Sequence, residues 1–454
     1  MKIDAPPAPE RAPLTAQESD RLYRRIALRL IPFLFLSYLF SLIDRTNVGY
    51  AKLQFLSQLK FTEADYGFGA GLFYAGYILL EVPSNMYLER IGVRKTLFRI
   101  MVIWGMATML MAVVKSPLQF FAARFLLGVA EGGFYPGILL YLTYWFPAQR
   151  RGRAFALFQM SNPIAGISGA VIAGWTMTSL DGAFGLHGWQ MLFLLEGVPP
   201  IILGVLALYV LSDRPENARW LTPDERAQLA ADIGSTSAGG HGGKGGLLLA
   251  LRNPMVYVLA LVYFTQLSAV TLISLWGPSV IKELGVTDVR QISMISAASY
   301  LAGFAGMYLI GRNSDRLLER RWHYICCALA IGLGALLLAA FHADLALAIA
   351  CYTLIVLGIF GSYAIFFTMP AALFDPKAKA TGIALITMMG SSSGFFMPAL
   401  IGWVKHETGS IFYGVAATGA LSIGGALLVL AFIPKNVEAA QRHMDPARRA
   451  PYNG

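Results

Sequence analysis

Apolar stretches of about twenty residues, the length a bilayer crossing needs, alternate along the chain with short polar breaks. Twelve can be drawn, near 26–50, 66–88, 96–114, 118–145, 154–178, 190–211, 255–281, 291–311, 323–342, 344–370, 381–404 and 411–433. They are too long and too continuous for the alternating ten-residue strands of an outer-membrane barrel, so they predict helices. The fold class expected is an all-α integral membrane protein with 12 transmembrane helices.

The longest polar interruption, 212–253, holds "DRPENARWLTPDERAQLAADIG" followed by "STSAGGHGGKGG". Thr222 as a cap, Pro223 at the first helical position and Glu225 at the third predict a short surface helix. The Gly-rich part reads as flexible linker. This segment divides the chain into a tail (1–25), a six-helix bundle (26–211), a linker with a short helix (212–253), a second six-helix bundle (254–433) and a tail (434–454).

Composition supports the membrane reading. The chain is 56% hydrophobic and 14% charged, with a mean hydropathy of +0.57, too apolar for an ordinary soluble globule. The net charge of +10 does not imply nucleic acid, because no folded basic face with a recognisable module appears. Its placement matters instead. Basic residues gather in alternate loops, at Arg21, Arg24 and Arg25, then Arg90, Arg94, Lys95 and Arg99, then Arg150, Arg151 and Arg153, with matching groups in the second half up to Lys377 and Lys379. The other side keeps Lys52, Lys60, Lys115, Lys282, Arg290 and Lys405. The positive-inside rule then puts both termini in the cytoplasm, in a multi-pass protein of the cell inner (plasma) membrane with no cleaved signal peptide. Cys326, Cys327 and Cys351 lie in apolar segments and offer neither a disulfide framework nor metal-ligand spacing.

The halves resemble each other. "FPAQRRGRAFALFQMSNPIAGISGAVIAGW" (146–175) aligns without a gap on "FDPKAKATGIALITMMGSSSGFFMPALIGW" (374–403), an offset of 228. "ERIGVRK" (89–95) and "DRLLERR" (315–321) repeat at nearly the same spacing. Such repeats imply two pseudo-symmetric bundles with a binding site between them near the midplane.

"NMYLERIGVRK", "GRNSDRLLERR" and "RRGRAFAL" resemble the signature loops of the major facilitator superfamily over nearly the whole chain. The first loop departs from the pattern: Asn85 stands where Gly is usual and Glu89 where Asp is commoner. "DRTNVGYAK", "FYAGYILLEVPSNMYLERIG" and "RFLLGVAEGGFYPG" are similar to its anion:cation symporter family, more narrowly to the branch carrying tartrate, sugar acids, phthalate, allantoate or aromatic acids. The resemblance implies the major facilitator fold and proton-coupled uptake of a small organic anion by alternating access. The coupling ion expected is the proton, with no other cofactor, and the protein is expected to function as a monomer. In that family the acid-base pair of the first span and the Arg and Glu of the fourth serve substrate binding and coupling; the matching positions are Asp44, Arg45, Arg124 and Glu131.

Physical reasoning reaches the same residues. Charge within a membrane span is expensive and is a functional-site hypothesis by default. Asp44 and Arg124 fall at matching depths, and Arg124, Gly128, Glu131 and Tyr135 recur on one helical face. Arg45 and Arg124 suit a substrate carboxylate; Asp44 and Glu131 suit proton coupling. Tyr74, Tyr77 and Glu81 form a comparable face on the second span. Gln159 and Asn162 add polar groups, and the second half offers Tyr363, Thr368, Ser391, Ser392 and Ser393 for hydroxylated substrates. Under the same offset Asp44, Arg124 and Glu131 become Leu272, Tyr352 and Ile359. The competing reading makes Asp44 with Arg124, or Arg45 with Glu131, structural ion pairs, and the serines packing residues. Glu81 stays open between the functional site and a gate or loop network toward the cytoplasm. Glu89, Arg90, Arg94, Asp315 and Arg316 read as conformational clasps.

No enzyme motif is present, and His187, His323, His342 and His406 are scattered near span ends. A tartrate-like hydroxy-dicarboxylate or sugar acid leads among substrates. The alternatives are an importer of aromatic carboxylates or an exporter of the same fold, the latter disfavoured by Asn162 in place of Gly before Pro163.

Overall fold

The computed structural model describes residues 15–237, 244–374 and 376–435. The first half contains α1 (Ala16–Gln58), α2 (Glu63–Ile91), α3 (Val93–Leu110), α4 (Pro117–Glu131), α5 (Phe134–Trp145), α6 (Ala148–Gln159), α7 (Ser161–Ser179) and α8 (Gly188–Val210). The connecting segment contributes α9 (Pro223–Ser237) and α10 (Lys244–Arg252). The second half contains α11 (Pro254–Thr271), α12 (Gly277–Glu283), α13 (Val289–Leu317), α14 (Arg321–Ala340) and α15 (Leu345–Phe366). It closes with α16 (Thr368–Leu373), α17 (Pro376–Ser391), α18 (Ser393–Thr408) and α19 (Phe412–Phe432).

Eleven helices or broken helices among the described residues are long and apolar enough to cross a membrane. The twelfth expected span, 66–88, is also helical: α2 has 29 residues, but its glycines, tyrosines and Glu81 make it less apolar than the rest. Several of the spans are broken, the one made of α11 and α12 by a π-helical turn at Leu272–Trp276. α4 stops at Glu131, and Gly133, at φ +88°, starts α5 from the left-handed region; a Cβ there would lie 2.5 Å from Ser84. α6 gives way to α7 at Met160, and α17 to α18 at Ser392. Pro136, Pro163 and Pro278 fall in the first turn after a break, where a missing N–H does no harm.

The connecting segment departs from expectation in one respect. Thr222 and Glu225 form the reciprocal cap, at 2.9 and 3.3 Å, and α9 leans on α1 through Arg25–Glu225 and Tyr23–Asp232. Yet the expected flexible stretch is helical at both ends, through 237 and again from 244, while 238–243 lie outside the described residues. At the N-terminal side α1 begins at Ala16 behind a Thr15–Glu18 capping box, so helix extends ahead of the expected first span, 26–50. Residues 1–14 and 436–454 of the expected tails lie outside the described residues, as do the side chains of Arg153, Lys377 and Lys379.

The halves meet along three seams, α1 with α12 and the π-helical turn Leu272–Trp276, α2 with α18, and α7 with α13. Backbones approach closely there. A Cβ on Gly49 would sit 2.8 Å from the Ser274 carbonyl oxygen, and one on Gly67 2.3 Å from that of Pro398. Tyr66 Oη donates across the seam to the Leu275 carbonyl at 2.6 Å. Around it an ion cluster joins the halves: Lys52 and Lys405 hold Glu63 at 2.6 and 2.7 Å, and Lys405 also pairs with Glu283. Lys52 is buried, with its ammonium 3.8 Å from the centre of the Trp276 ring. The bundle is therefore sealed at the Glu63 end. Cys327 and Cys351 are buried, Cys326 exposed, and all three are free.

Candidate functional site

Close packing of α2 on α4 builds the site. A side chain on Gly128 would put its Cβ 1.9 Å from the Phe73 carbonyl oxygen, so glycine there lets α2 lie against α4 and brings Phe73, Tyr74 and Tyr77 up to the charges of α1 and α4. The guanidinium of Arg45 stands 4.8 Å from the Tyr77 ring centre, and that of Arg124 stands 5.0 Å from that of Phe73.

The four ionisable residues are all brought together, in unequal states. Arg45 donates through Nε and Nη2 to Glu131 Oε1 at 2.9 and 2.7 Å. Ser41 donates to the same oxygen, while Oε2 is buried without a partner. Asp44 receives Trp104 Nε1 at 3.0 Å, Thr108 Oγ1 at 2.9 Å and Asn47 Nδ2 at 3.0 Å. Arg124 is fully buried, and none of its three guanidinium nitrogens has a hydrogen-bond partner. It lies within the electrostatic influence of Asp44 but makes no ion pair with it among the described residues. One of the two structural pairs weighed from sequence, Arg45–Glu131, therefore exists; the other, Asp44–Arg124, does not form.

A buried guanidinium with no acceptor is costly. Its five donors, in a planar fork, match a carboxylate. This arrangement can take an anion into a water-poor site, with a second guanidinium held back by Glu131.

The neutral residues are placed less uniformly. Tyr74 lies within the electrostatic influence of both Arg45 and Arg124, and Tyr77 is buried beside Arg45. Gln159 is buried with Oε1 unpaired, beside Tyr135. Asn162 donates to the Gln159 carbonyl at 3.2 Å. From the second half Tyr363 lies within the electrostatic influence of Arg45 and Tyr74. Thr368 and Ser392 donate back to carbonyls of the preceding helices, Ile365 of α15 and Met389 of α17, both at 2.6 Å. Ser391 is half-buried, and Ser393 is buried with an unpaired hydroxyl. The even face predicted for Arg124, Gly128, Glu131 and Tyr135 does not run along one helix, because the chain breaks at Gly132–Gly133. "AEGGF" carries that break in plain view.

The expected clasps divide. Arg94 pins the end of α8: its amide donates to Asp213 at 2.9 Å and its guanidinium to the Leu208 carbonyl. Asp315 pairs with Arg320 at 2.6 Å. Glu89, Arg90 and Arg316 are exposed and make no ion pair among the described residues. Trp104 and Thr108, two polar groups four apart in the apolar run "VIWGMATML", were not singled out from the sequence; that spacing was the available signal.

The Major Facilitator Superfamily family model matches residues 34–398 and 259–450. The chain is 40% identical to the "Putative metabolite transport protein NicT" of Pseudomonas putida, over 92% of this chain and 95% of that one. It is 39% identical to a "Putative tartrate transporter" of Agrobacterium vitis, covering 90% and 94%. It is 35% identical to a "Quinolone resistance transporter" of Acinetobacter baumannii, covering 89% and 93%. Among solved structures it resembles in fold the "D-xylose-proton symporter", with a TM-score of 0.72 at 16% identity, covering 90% and 98%. With its helical spans, its two halves and the cluster of charges between them, the chain belongs to the Major Facilitator Superfamily and is a multi-pass membrane transporter, not an enzyme.

Proposed function

We propose that the chain imports a small organic anion together with protons, most favourably a hydroxy-dicarboxylate such as tartrate or a sugar acid. The observation that carries this reading is Arg124, fully buried with every guanidinium nitrogen unpaired. A carboxylate entering the site supplies the acceptors it lacks. Proton coupling follows from the neighbouring pair. Protonation of Glu131 removes the charge that holds Arg45, and a freed Arg45 faces the same anion; proton and substrate then favour the same closed state. Asp44, within the influence of Arg124, is the second coupling acid. Tyr74, Tyr77, Gln159, Asn162, Thr368, Ser391 and Ser392 are the neutral contacts proposed for hydroxyl groups. The name of the Agrobacterium vitis relative supports the substrate class.

Both termini are proposed to be cytoplasmic in the inner (plasma) membrane, because the basic loops gather away from the Glu63 end. The sealed Glu63 end is then the outer one. The protein works as a monomer with the proton as coupling ion. An exporter is the second reading, favoured by the name of the Acinetobacter baumannii relative.

The deciding experiment is uptake of labelled organic acids into proteoliposomes with and without an inward proton gradient, comparing the native protein with Arg124→Ala. We expect one acid to accumulate only with the gradient, and the variant to lose at least about a hundredfold of the rate, the scale of leaving a buried charged partner unpaired. Accumulation that ignores the gradient, or runs only outward, selects the exporter.

A further inference from the structure

A third buried acid lies outside the site described so far. Glu196 sits in the middle of α8 within "FLLEGVPP" and is only 5% exposed. Neither carboxyl oxygen has a hydrogen-bond partner, and no ion pair involves it among the described residues. Asn47 of α1 is the neutral polar side chain acting on it, and Asp44 the charged one.

The surroundings leave its charge uncompensated. α8 packs on α1, α3 and α7. Around Gly197, α3 presents Gly105 and Met109; its basic residues Arg94, Lys95 and Arg99 end six residues before Gly105, about 9 Å along the axis. α7 carries no titratable residue over its length. The remaining element facing α8, Met111–Val113, carries none either. On α1 the facing groups are Asn47 and Asp44, an amide and a second acid. An ionised carboxylate there would be buried beside another acid with no cation, an arrangement that apolar surroundings strongly disfavour.

The hydrogen-bond inventory gives its role. Asn47 Nδ2 donates to Asp44 Oδ1 at 3.0 Å, while Asn47 Oδ1 is buried without a donor. An ionised carboxylate only accepts; the protonated acid has one O–H to give. We infer that Glu196 is a positioning residue kept as the neutral acid, whose O–H turns to Asn47 Oδ1 and so fixes the Asn47 amide with its donor toward Asp44. Without that donor the amide is free to rotate and present oxygen to the Asp44 carboxylate, which then loses one of its three donors. Glu196 thus keeps its proton through the cycle while it sets the proton affinity of Asp44. The consequence for transport rests on the proton-coupled reading above.

Two measurements test this. Infrared difference spectra of the purified, membrane-reconstituted protein at pH 8 should show the carbonyl stretch of a protonated carboxylic acid in the native protein that is missing in Glu196→Gln. No such lost band overturns the inference, whatever the protein transports. In uptake assays Glu196→Leu should move the midpoint of the pH profile upward by on the order of one pH unit, the effect of removing one hydrogen bond to a charged group. Glu196→Gln, which still carries a donor for Asn47, should restore the native profile. A native profile in Glu196→Leu, or loss of gradient-driven accumulation in Glu196→Gln with exchange intact, overturns it; the latter makes Glu196 a proton carrier. Native uptake that ignores the gradient sinks proton coupling, and the infrared band then decides the inference alone.

Discussion

The stretch around Asp44 and its counterpart 228 residues later occupy equivalent places and have opposite characters. In the first half, Asp44 and Arg45 lie on an unbroken α1 and are tied to α3 and α4 by side-chain hydrogen bonds, and Asn47 on the same helix donates to Asp44. In the second, Leu272–Trp276 is apolar apart from Ser274 and winds as a π-helical turn. It presses backbone carbonyls onto Gly49 and Tyr66 and lays the Trp276 ring under the Lys52 ammonium. Arg124 and Glu131 have Tyr352 and Ile359 as counterparts. One repeat therefore holds the charges that can bind an anion, while the other supplies shape and closure. Wide π turns recur at functional positions, and here the turn seals the seam between the halves.

The largest effect that could break this contrast is expected from Glu131→Gln. With a neutral partner Arg45 is no longer held by charge, so exchange of substrate across the membrane persists while gradient-driven accumulation falls by about tenfold or more. Counterflow compared with net uptake measures it; normal accumulation would mean that the charged half is scaffold.

A smaller effect is expected where both halves contribute charge. Glu63→Gln removes the anion that Lys52 and Lys405 share, which should shift the population severalfold toward a conformation open at the Glu63 end, read by the accessibility of a cysteine placed on α18 near Gly402. Burial works to raise the Glu63 carboxyl, but Lys52 and Lys405 outweigh it and hold it below its ordinary value of 4.5. A lowered carboxyl contributes stability above its ordinary value and loses it as pH falls through the lowered one. Through Glu63 the seal should accordingly loosen as pH falls well into the acid range.

The smallest change is expected in the neutral half. Ser392→Ala should weaken apparent affinity by about threefold to tenfold for a hydroxylated acid, and leave an unhydroxylated acid of the same length unchanged. Its hydroxyl donates to Met389 and has only acceptor capacity left for a ligand. Equal effects on both acids would assign the serine to packing.

Much of the site was legible. Asp44, Arg45, Arg124 and Glu131 stand out because charge is rare in apolar spans, and the structure gathers all four. The same rule applies to Glu196 in "FLLEGVPP", where no basic residue or repeat accompanies it. Which base meets which acid was not legible. Arg45 and Asp44 are adjacent in sequence, so helical rotation sends them to different neighbours, one to Glu131 on α4 and the other to Trp104 and Thr108 on α3. The ion cluster was hidden for a related reason, since Lys52, Glu63, Glu283 and Lys405 read singly as ordinary charges at span ends.

The sequence by itself determined the helical spans, the two-part organisation and the membrane setting, because hydropathy over twenty residues and a long internal repeat are local or periodic properties of the chain. The tertiary structure alone decided that Arg45 is engaged and Arg124 open, and that one end of the bundle is shut. Those outcomes depend on how closely α2 approaches α4 over Gly128 and how α1 and α2 meet the second half over Gly49 and Gly67. Such approaches are set by packing between distant segments, which no local pattern encodes.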